Sequence, residues 1–234
     1  MNIDPEALAA SLQRVIDTGD ETNLRSVLSG VVSACVDLFG VSGSGLMLAD
    51  DTNVLRYVAA SDGPGRQLEI LEAEHGEGPC TDTFVNNEPT FTSDLDDDDR
   101  WPHITAAVVP LGVRAVMGVP VRLGGVPVGS LDVYLDKAHV WDSSERRALI
   151  RYSDIIEATL SSALAAQRAG DLAAQLQYAL DNRVVIERAI GFLMSEEKID
   201  AVAAFNRLRL AARSSRRKVG QVAHHLLSTG EVGD

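Results

Sequence analysis

The chain has 234 residues, of which 45% are hydrophobic and 24% are charged, so its composition excludes a disordered polymer and allows one or two domains. Its formal net charge is −13, and no apolar run reaches the roughly 18–20 residues that a membrane-spanning helix needs. The N-terminus is acidic and amphipathic and lacks the features of a secretion signal, so we expect a cytoplasmic protein.

Helical spacing of apolar residues predicts two helices near the N-terminus, at residues 5–16 and 23–39. Alternation then predicts a β-hairpin from residues 44–49 and 54–60. Farther along, the pattern predicts three helices and three strands: helices 67–74, 81–87 and 103–109, and strands 89–92, 115–122 and 127–134. We therefore expect an α+β domain with five or six strands and flanking helices.

The two cysteines do not form a metal-binding or redox pair. Cys35 lies on the apolar stripe of a predicted helix, so we interpret it as a small buried hydrophobe. Cys80 follows Gly-Pro at a predicted helix start, where a thiolate is favoured, although a buried structural cysteine is the simpler interpretation.

An acidic loop places Asp94, Asp96 and Asp98 at alternate positions, as in a calcium-binding loop. The sixth position is Asp99 rather than Gly, and the twelfth is Thr105 rather than Glu. An EF-hand needs that glycine for its turn and that glutamate as a bidentate ligand. We interpret the segment as a solvated loop and predict no metal site.

Helical signals resume at residue 142 and continue with few interruptions. A weak heptad runs through Leu149, Ser153, Ile156 and Leu160, and resumes after Gly170 at Leu172, Leu176 and Ala179. One long coiled-coil helix, paired with its copy in a homodimer, would cover this seam. The alternative is a helix packed only on its own domain.

The C-terminal part differs from the rest in charge. Residues 1–170 sum to −14, whereas residues 171–234 sum to +1 and contain no Asp or Glu from Ala201 to Gly230. Within that acid-free stretch lie Arg207, Arg209, Arg213, Arg216, Arg217 and Lys218. Cations kept apart from acids indicate a surface for a nucleic-acid backbone, and an ordinary solvated helix face is the alternative.

A series of motifs resembles the GAF domains that precede ANTAR domains in actinobacterial regulators. They are Leu68-Glu69, Gly76-Glu77-Gly78-Pro79-Cys80, Asp94-Leu95, Arg100-Trp101-Pro102, Gly112-Val113-Arg114, Val119-Pro120 and Gly129-Ser130-Leu131. The resemblance implies an antiparallel sheet with helices on both sides and a pocket for a small ligand of unknown identity. Cys80, Trp101 and His103 are the candidate pocket residues, with a core position as the alternative for Trp101.

The tail resembles the ANTAR domain, a three-helix RNA-binding module of transcription antiterminators. The matching residues are Arg183, Ile186, Ala189, Gly191, Leu193-Met194, Ala204-Phe205, Leu208-Arg209, Ala211-Ala212, Val219 and Val222-Ala223. Many members have Lys where this chain has Ile190, which we expect to join the coiled-coil seam instead. The RNA contacts are therefore expected from Arg209, Arg213, Arg216, Arg217, Lys218, Gln221 and His224.

Together these patterns predict four segments: an N-terminal helix (1–20), a GAF sensor domain (21–141), a linking coiled coil (142–178) and an ANTAR domain (179–234). They predict a sensory antiterminator that binds tandem RNA hairpin loops in leader transcripts as a homodimer, and not an enzyme. His75, His103 and His139 are scattered, and no catalytic motif is present. The alternatives are a DNA-binding repressor that uses the last two helices and a GAF-fold reductase with Cys80 as its reactive group.

Overall fold

The computed structural model describes residues 3–18, 24–50, 53–165 and 171–232. Its strands are β1 (Gly43–Ala49), β2 (Leu55–Ala60), β3 (Thr90–Thr92), β4 (Ala115–Leu123) and β5 (Val126–Leu135). Its α-helices are α1 (Pro5–Thr18), α2 (Leu24–Phe39), α3 (Gly63–His75), α4 (Pro79–Asn86), α5 (Pro102–Val108), α6 (Ser143–Ala165), α7 (Asp171–Glu197), α8 (Ala201–Ser215) and α9 (Val219–Thr229). We call α1–α6 with the strands the sheet domain, and α7–α9 the C-terminal bundle.

The five strands form one antiparallel sheet in the order β2-β1-β5-β4-β3. Successive side chains of a strand point to opposite faces, so β5 divides the sheet domain into two layers. Leu131 and Val133 pack with α2 and α6 in one core, whereas Tyr134 packs in a separate core that includes Leu68 of α3 and Trp101. The predicted α+β architecture with helices on both sides is confirmed.

Helix α6 belongs to the sheet domain. Its predicted seam residues Leu149, Ile156 and Leu160 are fully buried in the core shared with α2 and the sheet. The expectation that this half of the seam is exposed is therefore wrong, because the sheet of the same chain covers it. The junction around Gly170 and the side chains of Leu172, Leu176 and Ala179 lie outside the described residues.

The helices of the C-terminal bundle begin and end at well-defined residues. The Asp200 carboxylate accepts a hydrogen bond from the Ala203 backbone N–H at 2.8 Å, which satisfies a free donor at the start of α8. Helix α8 ends where Arg216 adopts a left-handed conformation at φ 53°. Helix α9 approaches α7 closely, since a Cβ at Gly220 would overlap the Asn182 side chain.

The two parts share a hydrophobic core. The Phe84 ring of α4 meets the Phe205 ring of α8 edge to face, with centroids 6.1 Å apart. Ile190 lies in the same cluster and is 7% exposed, so it packs within its own chain rather than in the predicted coiled-coil seam. The bundle is therefore docked on the sheet domain on the side of α3 and α4.

Candidate nucleic-acid interface

An open cleft of about 790 Å³ separates β2 and the end of α3 from the junction of α8 and α9. Six cations line it, against the single carboxylate of Glu74: Arg56, Arg209, Arg213, Arg216, Arg217 and Lys218. Gln221 also lines the cleft. The fold thus gathers six of the seven predicted RNA-binding residues around one concave surface.

The left-handed turn at Arg216 arranges the basic side chains. It lets the Arg217 backbone N–H donate to the Ala212 carbonyl at 2.9 Å, which closes the end of α8. Gln221 starts α9 by accepting a hydrogen bond from the Lys218 backbone N–H at 3.1 Å. Because the chain reverses within these few residues, Arg213, Arg216 and Arg217 project from one short segment.

Most of these cations are not neutralised. Arg213, Arg216 and Arg217 are exposed, and none of them forms an ion pair with an acid among the residues that the structure describes. The Lys218 Nζ lies 4.3 Å from the centre of the Tyr178 ring, a cation–π contact that keeps the positive charge. The surface therefore presents concentrated positive charge to an anionic partner.

Arg209 has a different role from the other cations. Its Nη1 donates to the Ala73 carbonyl at 2.8 Å and lies 3.4 Å from the Glu74 carbonyl. Burial, Arg213 and Arg56 lower the pKa of its guanidinium. Arg209 thus caps the C-terminal end of α3 and ties the bundle to the sheet domain, while one edge still faces the cleft.

Asn206 and Gly76 complete this contact between the domains. The Asn206 Nδ2 donates to the Gly76 carbonyl at 2.6 Å. Gly76 has φ +71°, and a Cβ there would overlap both the Arg209 guanidinium and the Asn206 amide. Only glycine combines this backbone conformation with such a close approach.

Two residues depart from the sequence-based expectation for the cleft. His224 is exposed on α9 but does not line the cleft. Arg56 does line it, although it belongs to β2 and lies far from the tail in the sequence. Its alternation on a strand gave no signal that it would face a surface formed by α8 and α9.

The three candidate pocket residues lie in different surroundings. Cys80 is fully buried at the start of α4, and its Sγ donates to Asp132 Oδ2 at 3.3 Å. Trp101 fills the core beside Leu68 and donates from its indole Nε1 to Asp82 Oδ2 at 3.1 Å. His103 is on the surface, with a 68% exposed side chain that pairs with Glu77.

The Asp94–Asp98 loop is held by arginines. Asp94 accepts two hydrogen bonds from Arg114, at 2.8 and 2.6 Å, and Asp98 pairs with Arg100 at 2.6 Å. These contacts lower the pKa of both carboxyl groups. The loop is thus a network of ion pairs that fastens β3 and β4.

Within the described ranges, no helix is both long and apolar enough to cross a membrane.

Comparison with solved structures supports the architecture of the sheet domain. The GAF domain of a phosphoenolpyruvate-protein phosphotransferase from Coxiella burnetii superposes with a TM-score of 0.55 at 18% identity, covering 69% of this chain and 95% of that one. A free methionine-R-sulfoxide reductase from Neisseria meningitidis gives a TM-score of 0.55 at 20% identity, covering 69% and 90%. At these identities the likeness shows the fold alone. No curated protein matches the chain.

Models of two protein families match the sequence. The GAF domain model matches residues 21–161, which is more than half of the chain, and the ANTAR domain model matches residues 174–227. The first match includes most of α6, in agreement with its packing on the sheet, and the second covers nearly all of α7–α9. The chain belongs to the GAF-domain family, with the sheet domain as its GAF domain and the C-terminal bundle as an ANTAR domain.

Proposed function

We propose that this protein is a transcription antiterminator whose ANTAR domain binds RNA hairpin loops in leader transcripts under the control of its GAF domain. The observation that carries the proposal is the cleft of six cations, in which Arg213, Arg216 and Arg217 have no acidic partner among the described residues. An arginine guanidinium can bond a phosphate bidentately and stack on an unpaired base. A hairpin loop offers both groups within a short span.

The charge distribution favours a partner held at the cleft rather than elsewhere. Residues 1–170 carry a formal charge of −14 and repel a polyanion, whereas the cleft attracts it. Arg56 adds a guanidinium from the GAF domain to this surface, but Asp50 pairs with its Nε at 2.7 Å and offsets its charge. The positive charge that the RNA meets therefore comes mainly from the ANTAR domain.

Control by the GAF domain follows from the contact at α3. Arg209 and Asn206 bind the carbonyls at the end of α3, so a movement of α3 would change the position of the ANTAR domain relative to the GAF domain. A signal that favours one of two arrangements shifts their populations and with them the affinity for RNA. We propose that docking and release of the ANTAR domain at Gly76 form this two-state element.

We further propose that the protein acts as a homodimer, so that two ANTAR domains engage two tandem hairpins and gain from effective concentration. Among the described residues, α7 offers a candidate pairing surface, since Val184 is 55% exposed and Met194 is 39% exposed. A coiled coil along α7 would cover these side chains. Light scattering at micromolar concentration that gives the mass of a monomer would remove this part of the proposal.

We propose a non-enzymatic role, because Cys80 is poorly suited to a reductase. Its thiol is fully buried, and burial together with Asp132, Glu72 and Glu69 raises its pKa well above the usual range. A reactive cysteine needs an accessible thiolate. Turnover of a sulfoxide substrate that disappears in Cys80→Ala would contradict this view.

Competition binding at matched salt tests the proposed nucleic-acid partner. A tandem-hairpin RNA, the same RNA with its loops closed into a continuous duplex, and a DNA duplex of equal charge are compared on the full chain. We expect the hairpin RNA to bind most tightly, since only it presents unstacked bases. Tighter binding to the DNA duplex would support a DNA-binding repressor and contradict the RNA proposal.

A further inference from the structure

A cluster of buried polar groups lies between the sheet and helices α3 and α4 of the GAF domain. The central strand β5 contributes Ser130 and Asp132 on the face away from α2 and α6. Helix α3 adds Glu69 and Glu72, and α4 adds Thr83, all with no solvent exposure. We call Glu69, Thr83, Ser130 and Asp132 the inner cluster.

Most oxygens of the inner cluster have no hydrogen-bond partner. This holds among the described residues for Asp132 Oδ1, Thr83 Oγ1 and Ser130 Oγ, whereas the Glu69 carboxylate has no side-chain partner and only the Leu46 backbone acts to lower its pKa. Glu72 differs, because its carboxylate accepts hydrogen bonds from the backbone N–H groups of Cys80 and Thr81, at 3.3 and 2.9 Å. The role of Glu72 at the start of α4 is thus structural, whereas the inner cluster has unused acceptors.

Two glycines bring these acceptors together. Gly45 of β1 and Gly118 of β4 pair with Asp132 on either side. A Cβ at Gly45 would overlap Glu69 Oε1 and lie 3.1 Å from Asp132 Oδ1. A Cβ at Gly118 would lie 2.9 Å from Thr83 Oγ1 and 3.3 Å from Ser130 Oγ. The oxygens therefore converge over Gly45 and Gly118, the residues of β1 and β4 that pair with Asp132.

The buried carboxyl groups of the inner cluster favour a ligand that carries a positive charge. Burial raises the pKa of Asp132 to about 7, and burial together with Asp132 and Glu72 raises the pKa of Glu69 well above its ordinary value. No cationic side chain contributes to either pKa among the described residues. Buried carboxyl groups without a partner are costly, so they are usually paired with a cation or another donor.

The unused acceptor atoms limit the kinds of ligand that the inner cluster can bind. Every unused atom of the inner cluster can accept a hydrogen bond, and an ammonium group supplies three donors together with a positive charge. A metal ion is less well matched, since no group of three or more His, Cys, Asp or Glu residues in the described ranges is arranged to hold one. We infer that the inner cluster is a binding site for the ammonium group of a small primary amine.

The site adjoins the contact between the domains. The helices that cover it, α3 and α4, also bear the Gly76 carbonyl held by Asn206 and the Phe84 ring that meets Phe205. An amine reaching the inner cluster must pass or displace this cover. The effect on RNA rests on the proposed function, but binding of the amine itself does not.

The test measures the thermal stability of the full chain without RNA. Methylammonium chloride is the probe, and tetramethylammonium chloride at equal ionic strength is the control, because it carries the same charge without an N–H donor. We expect the Tm to rise and saturate with methylammonium only, as it does when a ligand binds the folded state alone. Equal shifts with both salts, or a shift with Mg²⁺ but not methylammonium, would overturn the inference.

Variants locate the site. Glu69→Gln and Asp132→Asn should abolish the methylammonium shift, whereas Glu77→Gln should retain it, because Glu77 pairs with His103 at the surface. If a carboxylate variant fails to fold, Thr83→Val removes one acceptor at similar volume and should weaken binding several-fold. A full shift in Glu69→Gln, or in Thr83→Val, would refute the assignment.

A second measurement separates this inference from the proposed function. RNA affinity is determined with and without methylammonium at fixed ionic strength. A Tm shift without RNA binding would leave the amine site standing and contradict the antiterminator. RNA binding without a Tm shift would contradict the amine site and leave the antiterminator proposal standing.

Discussion

The inner cluster and the basic cleft both include residues of α3, and their charged groups lie in opposite environments. In the inner cluster, Glu69 and Asp132 are fully buried, and their pKa values are raised, so the protein resists ionising them. In the cleft, by contrast, Arg213 and Arg216 are exposed on the surface. Under the two proposals, a small ligand would be recognised where the protein suppresses charge, and a polyanion where the protein concentrates it.

Arg209 joins the two regions. It lines the cleft, yet its guanidinium caps α3, the helix that carries Glu69 and Glu72 into the interior. A shift of α3 would therefore move both Glu69 in the inner cluster and the backbone carbonyls that Arg209 binds.

Removal of the aromatic contact between the domains should have the largest effect on stability. Phe205→Ala deletes a side chain that is 3% exposed and meets Phe84, so we expect a loss of about 3–5 kcal/mol in the free energy of unfolding. Urea denaturation measures it. Leu210→Ala, at a 58% exposed position of the same helix, should cost less than about 0.5 kcal/mol. Similar losses for both variants would contradict a shared core.

Titration of the buried carboxyl groups should make stability depend on pH. The folded pKa values of Asp132 and Glu72, about 7 and about 8, exceed the ordinary carboxyl values, so the folded state binds more protons than the unfolded state in between. Stability should then fall as pH rises from about 4 to about 8, by a few kcal/mol. Denaturation at a series of pH values measures this slope.

Asp132→Asn is the matched variant for that slope. It removes one titrating group at nearly constant volume, so the fall in stability between about pH 5 and pH 8 should become shallower. Asp136→Asn, at an exposed position beyond the end of β5, should leave the slope unchanged. An identical slope in all three proteins would show that Asp132 titrates normally.

The contact between the two domains at Gly76 should be disrupted by the addition of a single methyl group. Gly76→Ala forces a side chain into left-handed backbone and against Arg209 and Asn206, so we expect a loss of at least about 1–2 kcal/mol and partial release of the ANTAR domain. Hydrogen exchange of α8 amides reports the release. Gly124→Ala, also at positive φ but in open space, is the control for backbone strain alone.

The sequence predicted the elements and the basic surface well, because both depend on local patterns. Periodicity locates the strands and helices, and the absence of acids from Ala201 to Gly230 indicates the cleft. Burial of the α6 seam was missed, since a periodic apolar stripe does not say which surface will cover it. The docking role of Arg209 was missed because its partners are backbone carbonyls more than 130 residues away.

The sequence carries a weak indication of the inner cluster. Asp132 interrupts a strand that is otherwise almost wholly apolar, and Glu69 follows Leu68 on a helix whose other face is polar. A charged residue in the middle of a buried strand is unusual. The members of the inner cluster come from three separate elements, α3, α4 and β5, so only the fold could bring them together.

The salt dependence of RNA binding by Arg213→Ala/Arg217→Ala tests the central claim most directly. The control is Arg188→Ala, which removes an exposed cation of α7 that does not line the cleft. If both arginines contact phosphate, affinity for hairpin RNA should fall by roughly 10-fold or more, and the slope of log affinity against log salt should decrease by roughly 0.7 for each lost contact. Affinity and slope equal to those of Arg188→Ala would contradict RNA binding at the cleft.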